Sequence, residues 1–186
     1  MGKLNAYIFT TLNGYFESPK GDISWHTHAE EENDFARDSI KPGGMLLFGR
    51  VTYEMMSAWW PTPEALKTNP IVAEGMNKAD KIVFSRTLQK VDWSNTRLIK
   101  DNIFDEIQKL KDIPGRDMTI IGSGSIITQF AGRGMLDSFQ IMIDPVALGD
   151  GTPIFKGLPG KLNLKLTSSR VFKSGVILLN YVPVKV

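Results

Sequence analysis

Three short stretches of this chain place hydrogen-bond donors beside glycine or a small hydroxyl just where an apolar run stops. In Leu46-Leu47-Phe48-Gly49-Arg50-Val51-Thr52, a strand pattern gives way to a helix start. Arg50 and Thr52 then lie beside backbone amides that have no carbonyl partner within the first turn. Those amides, the positive end of the helix dipole and a guanidinium together suit an anion. A plain turn at Gly49 with a solvated Arg50 fits the same residues. The run Ile120-Ile121-Gly122-Ser123-Gly124-Ser125-Ile126-Ile127 repeats the arrangement, with small residues for an amide cradle and hydroxyls from Ser123 and Ser125. It is not the dinucleotide fingerprint, whose third glycine position is Ile127 here, nor a Walker loop, because no Gly-Lys-Ser/Thr follows. Gly-Ser turns of this kind also join strands to helices for structural reasons alone. Ile82-Val83-Phe84-Ser85-Arg86 ends on a hydroxyl and a guanidinium, a pair suited to a terminal phosphate such as the ribose 2′-phosphate of NADP. An exposed arginine at a sheet edge would look the same. Three such exits on one sheet edge suit a dinucleotide with several phosphates.

A second cluster invites a different chemistry. His26 and His28, followed by Glu30, Glu31 and Glu32, could ligate a metal, since alternate residues of an extended loop can point one way. The plainer reading is a polar loop entering a helix whose acidic first turn complements its dipole, and no metal is expected. Trp59-Trp60 reads as helix-end packing against the sheet, with ligand stacking as the alternative.

The elements that must carry these residues alternate. Lys3–Phe9 predicts a strand apolar on both sides, as in a covered central strand. Thr10–Thr27, with Asn13-Gly14, Pro19 and Gly21, predicts a long loop, and loops of that length usually serve function. Helices are expected at Glu30–Ser39, Thr52–Trp60, Asn102–Leu110 and Ser125–Ala131, the first closed by Pro42-Gly43-Gly44. Strands are expected at Met45–Phe48, Lys81–Ser85, Thr96–Lys100, Met118–Ile121 and Ser138–Pro145. Thr62–Ala79 reads as irregular or partly helical. Lys161–Phe172 and Val176–Val184 form a hairpin around Lys173-Ser174-Gly175. This order predicts an α/β fold, a mainly parallel sheet covered by helices on both faces, with the hairpin adding antiparallel edge strands. Without repeats, low-complexity tracts or linkers, residues 1–186 read as a single domain.

Composition narrows the function classes. The 186 residues are 42% hydrophobic and 23% charged, which is globular rather than disordered. Cys 0 excludes disulfides, thiolate zinc sites, iron–sulfur clusters and cysteine nucleophiles, and is permissive for a reducing cytosol. The net charge of +2 comes from scattered Lys and Arg, which disfavours a nucleic-acid partner. No apolar stretch is long enough for a membrane span, and the start lacks a secretory h-region. A cytoplasmic location is therefore expected.

Taken in order, Lys3–Gly14 with Trp25, Phe48-Gly49-Arg50-Val51-Thr52-Tyr53-Glu54, Lys81–Arg86, Gly122-Ser123-Gly124-Ser125 and Pro145–Phe155 carry a resemblance over nearly the whole chain. The sequence resembles stand-alone bacterial dihydrofolate-reductase-like proteins, related to the C-terminal reductase domain of the bifunctional riboflavin-biosynthesis deaminase/reductase. The resemblance implies a three-layer α/β/α fold around a mixed sheet, NADPH as cofactor and a homodimer. It also implies roles. Gly49, Arg50 and Thr52 would hold the pyrophosphate, with Gly122, Ser123, Gly124, Ser125 and Ile126 on its other side. Ser85 and Arg86 would meet the 2′-phosphate, and Asn13 and Trp25 would border the nicotinamide and substrate. Counting forward from Trp25 as in dihydrofolate reductases lands at Glu30, the candidate catalytic acid. Two departures stand out: Asn13-Gly14 occupies a place where many relatives have Asp-Gly, and the residues between Trp25 and Glu30 do not match. The deaminase half, with its Pro-Cys-x-x-Cys, is absent.

The expectation is an enzyme: an NADPH-dependent oxidoreductase acting on a small heterocyclic or ribosylaminopyrimidine-like substrate. The alternative is a nucleotide-binding sensor or scaffold that keeps the fold without turnover.

Overall fold

In the computed structural model, which describes residues 1–26, 29–39 and 43–184, residue alternation decides which side of the sheet each side chain reaches. Strand β1 (Leu4–Thr11) sends Leu4, Ala6 and Ile8 into one core and Tyr7 and Phe9 into another. Strands β3 (Met45–Gly49) and β4 (Asp80–Phe84) do the same, with Leu47, Ile82 and Phe84 on the first face and Phe48 and Val83 on the opposite one. Helices α5 (Ile103–Lys111) and α6 (Gly124–Gly132) cover the first face through Ile107, Ile127 and Phe130. Helices α1 (Glu30–Ser39), α2 (Arg50–Trp59) and α4 (Pro70–Lys78) cover the second through Phe35, Tyr53, Val72 and Met76. Two apolar faces on one strand demand two helical layers, and the chain supplies both.

With β5 (Thr96–Ile99), β6 (Met118–Ile121), β7 (Ser138–Asp144), β9 (Leu164–Val171) and β10 (Ile177–Pro183), the main sheet has eight strands. Their order is β5-β4-β3-β6-β1-β7-β10-β9. Every pairing from β5 to β7 is parallel, whereas β10 runs antiparallel to both β7 and β9. The expected mixed, mainly parallel α/β sheet with a closing hairpin is what forms. Because those strands share a direction, Thr11, Gly49, Phe84, Ile99, Ile121 and Asp144 end at one rim. The β9–β10 turn joins them there, since Ile177 pairs with Ile143.

Two expectations need correction. The segment read as a long loop contains strand β2 (Tyr15–Glu17) and a 3₁₀ turn at Pro19–Gly21, and β2 pairs antiparallel with β8 (Thr152–Pro153) as a separate ribbon. The segment read as irregular or partly helical holds two helices, α3 (Pro63–Thr68) and α4, each opened by a proline in its first turn. Proline fits there because its missing N–H would have had no partner anyway. Of the tryptophan pair, Trp60 packs toward Phe48, Tyr53 and Trp93, while Trp59 is exposed.

Candidate active site

The rim assembles the anion-binding candidates through direct contacts. Gly49 N–H donates to Ser123 Oγ at 2.8 Å, and the Ser123 hydroxyl donates to Thr52 Oγ1 at 3.0 Å. Thr52 lies 3.3 Å from the Gly122 carbonyl. These bonds lock the exit of β3 to the exit of β6, side by side with no strand between them. The hydroxyls of Ser123 and Thr52 therefore serve each other and the backbone first. What remains for a ligand is the first turn of each helix: neither α2, with Gly49 at its N-cap, nor α6, with Ser123 there, receives a side-chain cap. Two adjacent, uncapped helix starts leave several N–H donors and two positive dipole ends facing one place. Arg50 is the first residue of α2, its guanidinium half-exposed and paired at 2.9 Å with Glu54 one turn along the helix.

The glycines of the second junction have separate reasons. Gly122 has φ +61, a left-handed conformation that side chains avoid. A Cβ on Gly124 would come within 2.5 Å of the Phe16 ring, so this position is small to admit β2 against α6. At Gly49 a Cβ would reach 3.1 Å from Ile126, whose side chain spans the two junctions. Ser125 is the one exposed residue in the first turn of α6, between buried Gly124 and Ile126.

Ser85 and Arg86 leave β4 next to this pair of junctions. They line a cleft of about 440 Å³ together with Ile126, Gln129, Lys100 and Asp101. Ser85 Oγ accepts from the N–H groups of Thr87 and Leu88, turning the chain, and Arg86 is largely exposed. The rim thus gathers Gly49, Arg50, Thr52, Ser85, Arg86 and the 122–126 turn on one side of the molecule. The donors present fit a dinucleotide's phosphates: amides and Arg50 at the centre, Arg86 and Lys100 at one end. A larger cleft, about 570 Å³, opens elsewhere beside Tyr53, Asn77 and Trp93. Its polar groups are tied to one another, with Tyr53 Oη accepting from Asp92 and Trp93 N–H and Trp93 Nε1 donating to Asn77.

At the other end of the rim the arrangement departs from the sequence reading. Asn13 braces the backbone: its Nδ2 donates to Leu148 O at 2.7 Å and its Oδ1 accepts from Leu148 N–H at 3.2 Å. Glu30 is exposed, whereas Glu32 is buried. The helix period explains the difference. Phe35 marks the inner face of α1, and a residue three positions earlier lies near that face while one five positions earlier points well away. Glu32 accepts from the Ser174 hydroxyl in the hairpin turn, and its other oxygen, Oε2, has no partner among the described residues. The same holds for the buried indole Nε1 of Trp25. Glu31 ties the same turn from outside, accepting from Lys173 N–H at 2.9 Å. That bond holds the Glu31 carboxyl below the usual range.

His26, weighed above as a metal ligand, instead pairs with Asp144 at 2.9 Å and stacks on Phe9 with ring centroids 3.6 Å apart. His28 lies outside the described residues. Burial, and then the Asp144 charge, hold the proton on the Tyr7 hydroxyl. Asp144 escaped the sequence reading, although strand alternation puts it on the side of buried Met142.

Comparison with known proteins supports the fold. The chain is 33% identical over 174 residues to the uncharacterized protein YyaP of Bacillus subtilis, covering 94% of this chain and 91% of that one. Its fold matches a pyrimidine reductase-like protein from Corynebacterium diphtheriae with a TM-score of 0.70 at 12% identity, covering 100% of this chain and 93% of that chain. It also matches a dihydrofolate reductase from Enterococcus faecalis complexed with NADP(H), with a TM-score of 0.66 at 16% identity, covering 99% and 98%. The family model for the RibD C-terminal domain aligns with residues 3–178, from ahead of β1 into β10 and through all three strand exits. The chain belongs to the RibD C-terminal domain family.

Proposed function

We propose that the chain is an NADPH-dependent reductase that delivers hydride to a C=N or C=O carbon of a small heterocyclic or ribosylaminopyrimidine-like substrate. The observation that carries this reading is the pair of uncapped helix starts locked together by Gly49, Ser123 and Thr52. It is supported by family membership and by the likeness to a fold that holds NADP(H) in another protein.

When bound, the nicotinamide ring would supply hydride chemistry that no protein side chain provides. The first turns of α2 and α6, with Arg50, would take the pyrophosphate, while Ser85 and Arg86 would take the 2′-phosphate. Trp25 and the Asn13 loop would border the substrate and exclude water. Substrate orientation falls to Glu32, whose Oε2 can accept from a ring N–H, with Glu30 at the exposed start of the same helix as the acid nearest solvent. Holding donor and acceptor carbons in contact removes most of the entropic barrier.

Titration of NADPH and NADH by nicotinamide fluorescence tests the cofactor half. Arg50→Ala should weaken both nucleotides alike, and Arg86→Ala should weaken NADPH more than NADH by about ten- to a hundredfold, the worth of a charge-assisted hydrogen bond. Absence of binding by the unmodified chain refutes the reading. Binding with no oxidation of NADPH across a panel of pyrimidine and pterin substrates would favour the sensor alternative.

A further inference from the structure

The exits of β4 and β5 run side by side, and this places an acid where the cofactor's phosphate would go. Phe84 pairs with Ile99, and Ser85 N–H donates to Ile99 O at 3.1 Å. One step further on, Arg86 faces Asp101, with Nε 3.8 Å from Oδ1. Asn102, at φ 53, then turns the chain abruptly into α5 and leaves Asp101 at the mouth of the cleft. Lys100 lines the same cleft, its ammonium 3.4 Å from Gln89 Oε1. The cleft therefore presents a guanidinium, an ammonium and a carboxylate at one end.

These groups act on the two nicotinamide cofactors with opposite signs. A ribose diol offers hydroxyl donors that a carboxylate accepts well. A phosphate monoester is close to a dianion, so it gains from Arg86 and Lys100 but must displace or approach Asp101. We infer that Asp101 is a specificity-determining residue: it opposes the 2′-phosphate, lowers the preference for NADPH and leaves the chain able to take NADH. This inference rests on the cleft being the adenosine end of the cofactor site.

The test measures dissociation constants of NADPH and NADH for the unmodified chain, Asp101→Asn and Asp112→Asn at low ionic strength. Asp112 is exposed just beyond the far end of α5, so its substitution makes the same change in net charge away from the cleft. Asp101→Asn should tighten NADPH relative to NADH by about five- to tenfold, as expected from removing one charge a few ångströms away in a solvated cleft. Asp112→Asn should leave the ratio where it was. An unmoved ratio in Asp101→Asn, or an equal movement in Asp112→Asn, overturns the role of Asp101 while leaving the cofactor site standing. If the unmodified chain binds neither nucleotide, the cofactor reading falls and this inference with it.

Discussion

His26 Nδ1 stands 2.9 Å from the Asp144 carboxylate, with the two side chains 2% and 0% exposed. The contact joins the end of the β2 loop to the last residue of β7 across 118 positions, and the imidazole lies flat on Phe9 of β1. It bolts the segment carrying Trp25 to the rim.

Breaking that pair should be costly because it removes a hydrogen bond between two buried polar groups. Asp144→Ala is expected to lower stability by about 3 kcal/mol. His26→Phe, which keeps a ring against Phe9, should also destabilise, since it takes the imidazole hydrogen bond away from buried Asp144. Urea unfolding of each variant checks this; a loss below about 1 kcal/mol in both would show that the contact does not hold the loop.

Gly124→Ala asks whether Phe16 needs the space that glycine leaves. The new methyl would lie 2.5 Å from the ring, so Phe16 must move and β2 with it. A loss of about 1–3 kcal/mol is expected. Thermal unfolding should show part of it recovered when Phe16→Leu is added, and no recovery would place the cost in the backbone instead.

Asn13→Asp keeps the shape of the side chain but removes the donor to Leu148 O. An ionised carboxylate beside that carbonyl is disfavoured in the fold, which raises its pKa above the unfolded value. The variant should therefore be about 1 kcal/mol less stable at neutral pH, with the gap closing below about pH 4 as the carboxyl regains a proton to donate. Urea midpoints across that range read it directly.

Lys81 gives a second pH signature, of opposite direction. Its buried ammonium caps α4 by donating to Met76, Asn77 and Ala79 carbonyls at 2.8, 3.1 and 2.6 Å. Burial pushes its pKa down to about 8 from an ordinary 10.5. Between those values the unfolded chain binds the extra proton, so stability should climb with pH. Above the ordinary tyrosine value of 10.0 the raised Tyr7 hydroxyl works the other way, because only the folded chain keeps that proton. Unfolding midpoints from about pH 8 to pH 10 should rise in the unmodified chain and flatten in Lys81→Met.

The central strands were legible because Met45–Phe48 and Lys81–Ser85 hold short apolar runs of the kind that strands covered on both faces require. The acidic start of Glu30–Ser39 located that helix correctly. The rim residues could be found for a related reason: each occupies a strand exit, and exits of parallel strands share an edge. The β2–β8 ribbon could not be found, because two or three residues in a turn-rich stretch gain their pairing from a segment roughly 135 positions away. Thr62–Ala79 resisted assignment because Pro63 and Pro70 interrupt it, yet each opens a helix. Glu32 was hidden by a count from Trp25 that ignored which side of α1 Phe35 buries. The partner of His26 was hidden by distance along the chain.

The placement of β1 has a consequence for how the molecule is made. This strand lies between β6 and β7, whose registers begin at Met118 and Ser138. During synthesis its greasy flanks and unbonded amides must wait for more than a hundred further residues to leave the ribosome. Such long-range closure is slow and leaves nascent chains adhesive. A polypeptide halted before Met118 would carry a bare centre strand, the feature through which stalled fragments clump.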